Sequence, residues 1–435
     1  MLQGDVVKVC VIGGGSTYTP ELVDGLLRRR DRLPIEELYL VDIDEARLAV
    51  LGPLAERMAA AAGAGWNVRW GTDRIAGIRD ATFVISQMRV GGMAARERDE
   101  QLGREFGIIG QETVGIGGFA NALRTIPVAL DIARDIEEYA PGAILLNFTN
   151  PAGLVTEALC RHSTVTTIGL CNVPWSFSQW FARGLGVDAN ELELDYVGLN
   201  HLSWVRSVRT PDGVDHVGTL VDGMAGHAER HPPSPEGEPG WTADIVRLID
   251  AIPNYYLLYY FETAAWERHQ ATHPTRASEV MAIEHALIEQ YRDPHLTTKP
   301  KELEQRGGAY YSETAAALMA DIASDAGTVH VVNVRNEGAI PGLADDVVVE
   351  VPARVTRAGA HAVPTAPLRA DVDALVRTVK DFELLTVRAA VDGDDDAARL
   401  ALLTNPLGPG ASSVSKVWQR LQDVHAGYLG RLERT

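Results

Sequence analysis

Residues 6–12, VVKVCVI, are apolar except for Lys8 and run directly into three glycines. A short apolar run closed by a turn signal predicts a buried parallel strand. Residues 20–30 follow with helical character, and Pro20 falls in the first turn, where its missing N–H is not needed. A second strand is predicted over 37–44, ELYLVDID, ending in two aspartates. Further apolar runs at 82–86, 143–147 and 165–170 alternate with helical stretches at 44–62, 119–139 and 151–162. Strand–helix alternation of this kind predicts a doubly wound α/β sheet over roughly the first 170 to 195 residues.

The pattern then changes. LDYVGLNHLSWVRSVRT, residues 194–210, alternates as sheet does, and HPPSPEGEPG, residues 231–240, reads as a proline- and glycine-rich loop. Residues 241–292 are mostly helical in pattern, residues 328–355 return to strands, and TRAGAHAVPTAP, residues 356–367, predicts another loop before a helical remainder. No internal repeat or low-complexity tract interrupts this order. The expected division is a Rossmann-like, dinucleotide-binding domain over 1–195 and an α+β catalytic and oligomerisation domain over 196–435.

Composition narrows the class. A chain of 435 residues that is 46% hydrophobic and 23% charged has the make-up of an ordinary soluble globular protein with ample core. The formal net charge of -19 argues against nucleic acid or an anionic membrane as a partner. It also means that an anionic substrate needs a local arginine cluster. Three cysteines make no disulfide framework and fit a reducing cytosol. No apolar run approaches the roughly 18 residues of a membrane span, and the first residues lack the charged and apolar regions of a signal peptide. The expected location is the cytoplasm.

Gly13, Gly14 and Gly15, with Ser16 and Thr17 behind them, occupy the turn between the first strand and the first helix. Glycines let backbone approach a pyrophosphate, and the helix N-terminus supplies donors for it. The fit to G-x-G-x-x-G is incomplete, since Tyr18 stands at the third glycine position. Asp42 and Asp44 end the second strand, where a carboxylate binds a ribose hydroxyl and repels a 2′-phosphate, favouring NAD over NADP.

GLCNVP, residues 169–174, and GLNHLSW, residues 198–204, each place one metal-competent side chain behind an apolar run and a glycine. Cys171 lies just past a strand's carboxyl end, where doubly wound sheets bind ligands. Cys10 and Cys160 read as buried small hydrophobes. A nucleophilic Cys–His pair and a metal site with two protein ligands and open positions both remain possible for Cys171 and His201. Softness alone points such a pair to zinc or iron.

The segments VIGGGSTYTPEL, RERDEQLGREFGIIGQETVGIGGFA, LNFTNPAGLVTEAL, GLCNVP, VGLNHLSW, ATHPTRASEVMAIE and RGGAYYSETAAAL with VHVVNVRNEGAI together resemble glycoside hydrolase family 4. The resemblance runs in order from about residue 6 to about residue 430. It implies an NAD- and divalent-metal-dependent glycosidase, the exception to the two-carboxylate scheme. It also implies an α+β second domain of the lactate/malate dehydrogenase-like type. The forms GLCNVP and GLNHLSW look like the 6-phospho-β-glucosidase branch, since α-acting relatives tend to carry Asp where this chain has Asn172.

The resemblance implies oxidation of sugar C3 by NAD⁺, loss of the C2 proton to a base, elimination of the C1 aglycone, water addition and re-reduction. Cys171 and His201 would then hold the metal, manganese in this family. Tyr256, within IPNYYLLYYFE, matches the base. Asn172 matches a catalytic position, although an amide is a poor acid. Arg96 and Asn150 match substrate-binding positions, and Arg276 matches a phosphate-recognising arginine able to pair bidentately with the anion. Glu112, in GQETVGIGG, reads as a neighbour of cofactor or metal, or as a solvated loop carboxylate. The implied partner is a phosphorylated disaccharide or β-glucoside, and the implied assembly a homodimer or homotetramer. Rival expectations are an unphosphorylated, α-linked or galacturonide substrate, a plain hydroxy-acid dehydrogenase, and a non-catalytic sensor.

Overall fold

The computed structural model describes residues 7–233, 237–306 and 311–433. Val6 of the first predicted strand, residues 234–236 of the proline-rich loop and residues 307–310 of RGGAYY lie outside that set. The first half runs β1 (Val7–Ile12), α1 (Thr19–Arg28), β2 (Ile35–Val41), α2 (Glu45–Ala61), β3 (Asn67–Gly71), α3 (Arg74–Ile78) and β4 (Phe83–Ser86). It continues through α4 (Gly92–Glu105), α5 (Gly115–Tyr139), β5 (Ile144–Asn147), α6 (Ala152–His162), β6 (Thr167–Gly169) and α7 (Asn172–Leu185). β1, β4 and β5 are buried almost throughout, which is why their sequences read as unbroken apolar runs.

The second half opens with a hairpin, β7 (Glu193–Leu199) and β8 (Leu202–Arg209), followed by α8 (Val217–Arg230), α9 (Ala243–Ile249) and the short β9 (Ile252–Pro253). Four helices come next: α10 (Leu258–Phe261), α11 (Thr263–Thr272), α12 (Arg276–Tyr291) and α13 (Tyr311–Ser324). Then follow β10 (Val329–Arg335), β11 (Val348–Thr356), β12 (Gly359–Ala362), α14 (Ala370–Asp392), α15 (Asp395–Thr404) and α16 (Val414–Val424).

The main sheet has nine strands in the order β12-β11-β10-β6-β5-β4-β1-β2-β3, and a small sheet has the order β7-β8-β9. β3 to β6 form the parallel, doubly wound part. β10, β11 and β12 extend it antiparallel past β6. The doubly wound expectation is met, and the sheet continues into the second half of the chain. Two departures have simple causes. β3, NVRWG, and β12, GAHA, are short edge strands with exposed positions, so neither carries a strong apolar pattern. The second of these lies in the stretch expected to be loop.

One core crosses both halves. α13 packs on α1, and α14 packs on α5 and α6. Phe119 of α5 is fully buried between Phe382 and Trp418, with ring centroids 6.3 and 6.1 Å away. Arg124 of α5 grips Asp99 of α4 through two bonds of 2.8 and 2.6 Å, and both side chains are fully buried. That clamp fixes α4, which carries Arg96. Among the described residues no helix is long and apolar enough to cross a membrane.

Candidate active site

A cavity of about 1780 Å³ opens at the carboxyl ends of the parallel strands, large enough for a dinucleotide together with a sugar phosphate. Gly13, Gly15, Ser16, Asp42, Arg96, Asn150, Asn172, His201, Tyr256 and Arg276 all line it. Gly14, Thr17 and Cys171 do not. The structure therefore gathers residues from eight separate segments of the sequence around one space.

At one end lies the glycine turn. The N–H groups of Gly13 and Gly14 both donate to the Val41 carbonyl at 2.8 Å, drawing the turn onto β2. Gly13 has φ +88°, and a Cβ there would meet the backbone of Gln87 at 2.9 Å. A Cβ on Gly14 would meet Leu40 at 2.7 Å, so this cradle fits only bare backbone. The Asp42 carboxylate accepts from Gly15 N at 2.8 Å and Asp44 N at 3.0 Å, so it shapes the turn as well as facing the cavity. Thr17 is buried behind it, donating to Glu284 at 3.0 Å and accepting from Arg306 at 2.7 Å.

At the other end is His201, while Cys171, at the head of α7 beside Asn172, is buried and does not line the space. Cys171 caps α7, its Sγ accepting from Val173 N at 3.5 Å, where the positive end of the helix favours a negatively charged ligand. His201 sits in the two-residue turn between β7 and β8 with φ +64°, a left-handed conformation uncommon for histidine. Its neighbours decide its tautomer. The Gln111 amide oxygen accepts from Thr113 N and Val114 N, and also from the Thr113 hydroxyl at 2.8 Å. With its proton so committed, Thr113 Oγ1 accepts from His201 Nδ1 at 3.0 Å. The lone pair is thereby left on Nε2, the form that ligates a metal. Burial pushes His201 down to about 3, so the ring is neutral at physiological pH.

Tyr256 lies against this ring, stacked at 3.7 Å between centroids and 2° from parallel. Burial pushes its hydroxyl well above the usual tyrosine range, and Tyr255 beside it adds to the rise. Removing that proton therefore calls for a cation close by. Among the described residues no three His, Cys, Asp or Glu side chains converge as a metal cage. Cys171 and His201 would hold an ion as a pair that leaves coordination positions open, the arrangement a substrate-binding metal requires.

Around the wall, Arg96 donates from Nε to Glu100 at 2.7 Å and lies 3.1 Å from Glu112. Glu112 is also paired with Arg89. Burial would raise the Glu112 carboxyl, but Arg89 and Arg96 outweigh it and hold it at about 2. Glu112 therefore belongs to a partly buried ion-pair cluster on the cavity wall. Arg276, at the start of α12, donates to Glu279 and to the Gln305 carbonyl, both at 2.9 Å. Asn150 Oδ1 is buried with no hydrogen-bond partner among the described residues. Asn172 is the first residue of α7.

Sequence reasoning passed over three contributors. Arg89 stands just beyond β4, a strand-end position that could have marked it. Asn254 caps the turn bearing Tyr256, accepting from Tyr256 N at 3.1 Å. Glu350, fully buried on β11, accepts from Tyr196, Asn200 and Asn333. Burial pushes its carboxyl up to about 7 against the pull of those bonds.

A doubly wound sheet with a glycine turn at one end of the cavity and a tyrosine stacked on a buried imidazole at the other is the architecture of a dinucleotide-dependent enzyme. The family 4 glycosyl hydrolase model matches residues 8–187, and the model of that family's C-terminal domain matches residues 196–408. The chain belongs to this family. A probable 6-phospho-beta-glucosidase of Bacillus subtilis is 41% identical over 97% of both chains. The 6-phospho-beta glucosidase of Thermotoga maritima, solved with manganese, NAD⁺ and glucose-6-phosphate, superposes with a TM-score of 0.91. It is 34% identical, over 97% of this chain and 99% of that one. Relatives named as 6-phospho-alpha-glucosidases match at 31% and 28% identity. A malate dehydrogenase of Plasmodium falciparum shares the fold alone, with a TM-score of 0.52 at 12% identity. Family membership sets aside the plain dehydrogenase and the non-catalytic sensor.

Proposed function

We propose that this enzyme hydrolyses 6-phospho-β-glucosides, with NAD⁺ and a divalent ion, manganese, as its resident partners. The observation that carries the reading is the His201–Tyr256 stack, which sets a lone-pair imidazole against a tyrosine hydroxyl on one cavity wall. When bound, NAD⁺ supplies a transient oxidation at sugar C3, and the ion supplies Lewis-acid stabilisation of the charge developing beside it.

The chain's own residues do the rest. Gly13, Gly14 and Gly15 admit the pyrophosphate, Ser16 and Thr17 shape the turn, and Asp42 faces the ribose. Cys171 and His201 Nε2 hold the ion. Tyr256 takes the C2 proton as general base, and loss of that proton expels the C1 aglycone. Asn150 and Arg96 orient the sugar hydroxyls. Arg276 takes the 6-phosphate by exchanging its bonds to Glu279 and Gln305, which counters the net charge of -19. Asn172, at the head of α7, positions the leaving-group oxygen.

In this reading residues 1–195 bind the cofactor, and residues 196–435 bring His201, the base and the subunit contacts. Cys171 is supplied from the first part. The three buried free cysteines fit a reducing cytoplasm, and light scattering would establish the homodimer or homotetramer expected of the assembly.

Hydrolysis of p-nitrophenyl β-D-glucoside 6-phosphate in D₂O, under reductant, tests the reaction. Nitrophenol release is expected to need both NAD⁺ and Mn²⁺, and the freed sugar should carry deuterium at C2. Release without NAD⁺, or without exchange at C2, would refute the mechanism. Turnover of the unphosphorylated or α-linked analogue in its place would refute the substrate.

A further inference from the structure

Three segments must meet for the metal corner to exist: the end of β6 leading to Cys171, the β7–β8 turn bearing His201, and the turn after β9 bearing Tyr256. One side chain reaches all three. We propose that Glu350 is a positioning residue whose buried carboxylate holds these segments in register for binding the divalent ion. The proposal rests on the reading of Cys171 and His201 as the metal-holding pair.

The connections run through hydrogen bonds. Glu350 Oε1 accepts from Asn200 Nδ2 at 2.9 Å, and Asn200 is the other residue of the two-residue turn that puts His201 in its left-handed conformation. The same oxygen accepts from Asn333 Nδ2 at 3.1 Å. Asn333 is the residue of β10 that pairs with Gly169 of β6, two positions before Cys171. Glu350 Oε2 accepts from the Tyr196 hydroxyl at 2.8 Å. Tyr196 lies 2.6 Å from Ser203 Oγ, which accepts from Asn254 Nδ2 at 3.0 Å. Asn254 Oδ1 in turn accepts the N–H of Tyr256.

The donors run one way. Asn254 gives to Ser203, Ser203 to Tyr196 and Tyr196 to Glu350, while the two asparagines give to the other carboxylate oxygen. The bonds converging on position 350 all favour its ionised, accepting form and work against the burial that raises its carboxyl. Tyr196, Ser203, Asn254, Asn333 and Glu350 are all fully or almost fully buried, so water cannot substitute for a broken link. A strained residue such as His201 persists only where its surroundings over-determine it. Nothing in this network reaches the glycine turn.

Glu350→Gln keeps the volume but sets an amide N–H₂ against one of these donors. Asn200→Ala cuts only the link to the His201 turn. In the NAD⁺-loaded enzyme, free Mn²⁺ followed by electron paramagnetic resonance should report a dissociation constant raised about 10- to 100-fold by Glu350→Gln, as for other groups that support metal ligands. Asn200→Ala should raise it about tenfold. NAD⁺ affinity should stay within about twofold of the parent in both. Mn²⁺ affinity unchanged in both variants overturns the proposal. So does a parallel loss of Mn²⁺ affinity, NAD⁺ affinity and melting temperature, which marks a merely structural role. If Glu350→Gln does not fold, Asn200→Ala decides by the same readings. A parent enzyme that binds no Mn²⁺ at all overturns the metal assignment itself, an outcome separable from failure of the variants alone.

Discussion

The two ends of the cavity are held by opposite means. The glycine turn is held mainly by backbone, with two N–H groups on one carbonyl and glycines where any Cβ would collide, and by the Asp42 carboxylate on Gly15 N. The proposed metal corner is built from side chains that start after β6, on the β7–β8 turn, after β9 and on β11. The first arrangement is rigid wherever β1 and β2 pair. The second has no local stability and exists only once distant strands have docked. A cofactor that stays bound suits the first. A site that must take a substrate and release a product suits the second.

The comparison can be broken most sharply at Tyr256. Tyr256→Phe should lower kcat about 100- to 10,000-fold, the usual worth of a positioned base. NAD⁺ and Mn²⁺ binding, by fluorescence quenching and paramagnetic resonance, should change little. If Mn²⁺ affinity also collapses, the stack on His201 holds the metal corner and the hydroxyl is not its main contribution.

A smaller effect is expected at the opposite end. Gly13→Ala must adopt φ near +88° and press a methyl on the Gln87 backbone, at a cost of about 1–3 kcal/mol. Isothermal titration should show NAD⁺ binding weakened about tenfold or more, by roughly 1.4 kcal/mol per decade, with Mn²⁺ binding intact. Loss of both would mean that the two ends are not independently held.

The smallest effect serves as a control outside the cavity. Asp321 binds Arg32 at 2.5 Å and His330 at 2.7 Å, joining the loop after α1 to β10. Burial would raise its carboxyl, but His330, Thr328 and Arg32 outweigh it and hold it at about 2. A carboxyl lowered by folding stabilises above its unfolded range near ~4 and ceases to as pH falls toward the folded value. Because its partner Arg32 is half exposed and screened by solvent, Asp321→Asn should cost no more than about 2 °C in melting temperature at pH 7. The difference should narrow below about pH 4.5, and kcat should not move. A constant difference down to acid pH would mean that the contact is not electrostatic.

Legibility in the sequence followed the same division. β1, the glycine turn, β2 and Asp42 lie within some forty residues, so pattern and motif reveal them together. Cys171 and His201 showed as a pair with two open readings, and only the resemblance to a family favoured the metal. The Thr113 bond that sets the His201 tautomer joins residues 88 positions apart, which no periodicity reports. β10 and β11 were visible as strands, but their place beside β6 depends on a crossover that pattern does not encode. Glu350 looked like one more charged residue in VVVEVP, and its burial becomes intelligible once Asn200, Asn333 and Tyr196 converge on it.

The position of β10 beside β6 also sets a timetable. During synthesis the β6 edge of the parallel sheet has no neighbour until residues beyond 335 have left the ribosome. At about 5–20 residues per second that wait is on the order of ten seconds or more. Through that interval the nascent chain carries the glycine turn, whose Thr17 gains Glu284 and Arg306 only toward its end, and an exposed strand edge with the proposed metal site unassembled. The strands that close the edge are the ones that deliver Asn333 and Glu350. Protection from edge-to-edge aggregation and the gain of catalytic competence therefore arrive in the same event, late in the making of the protein.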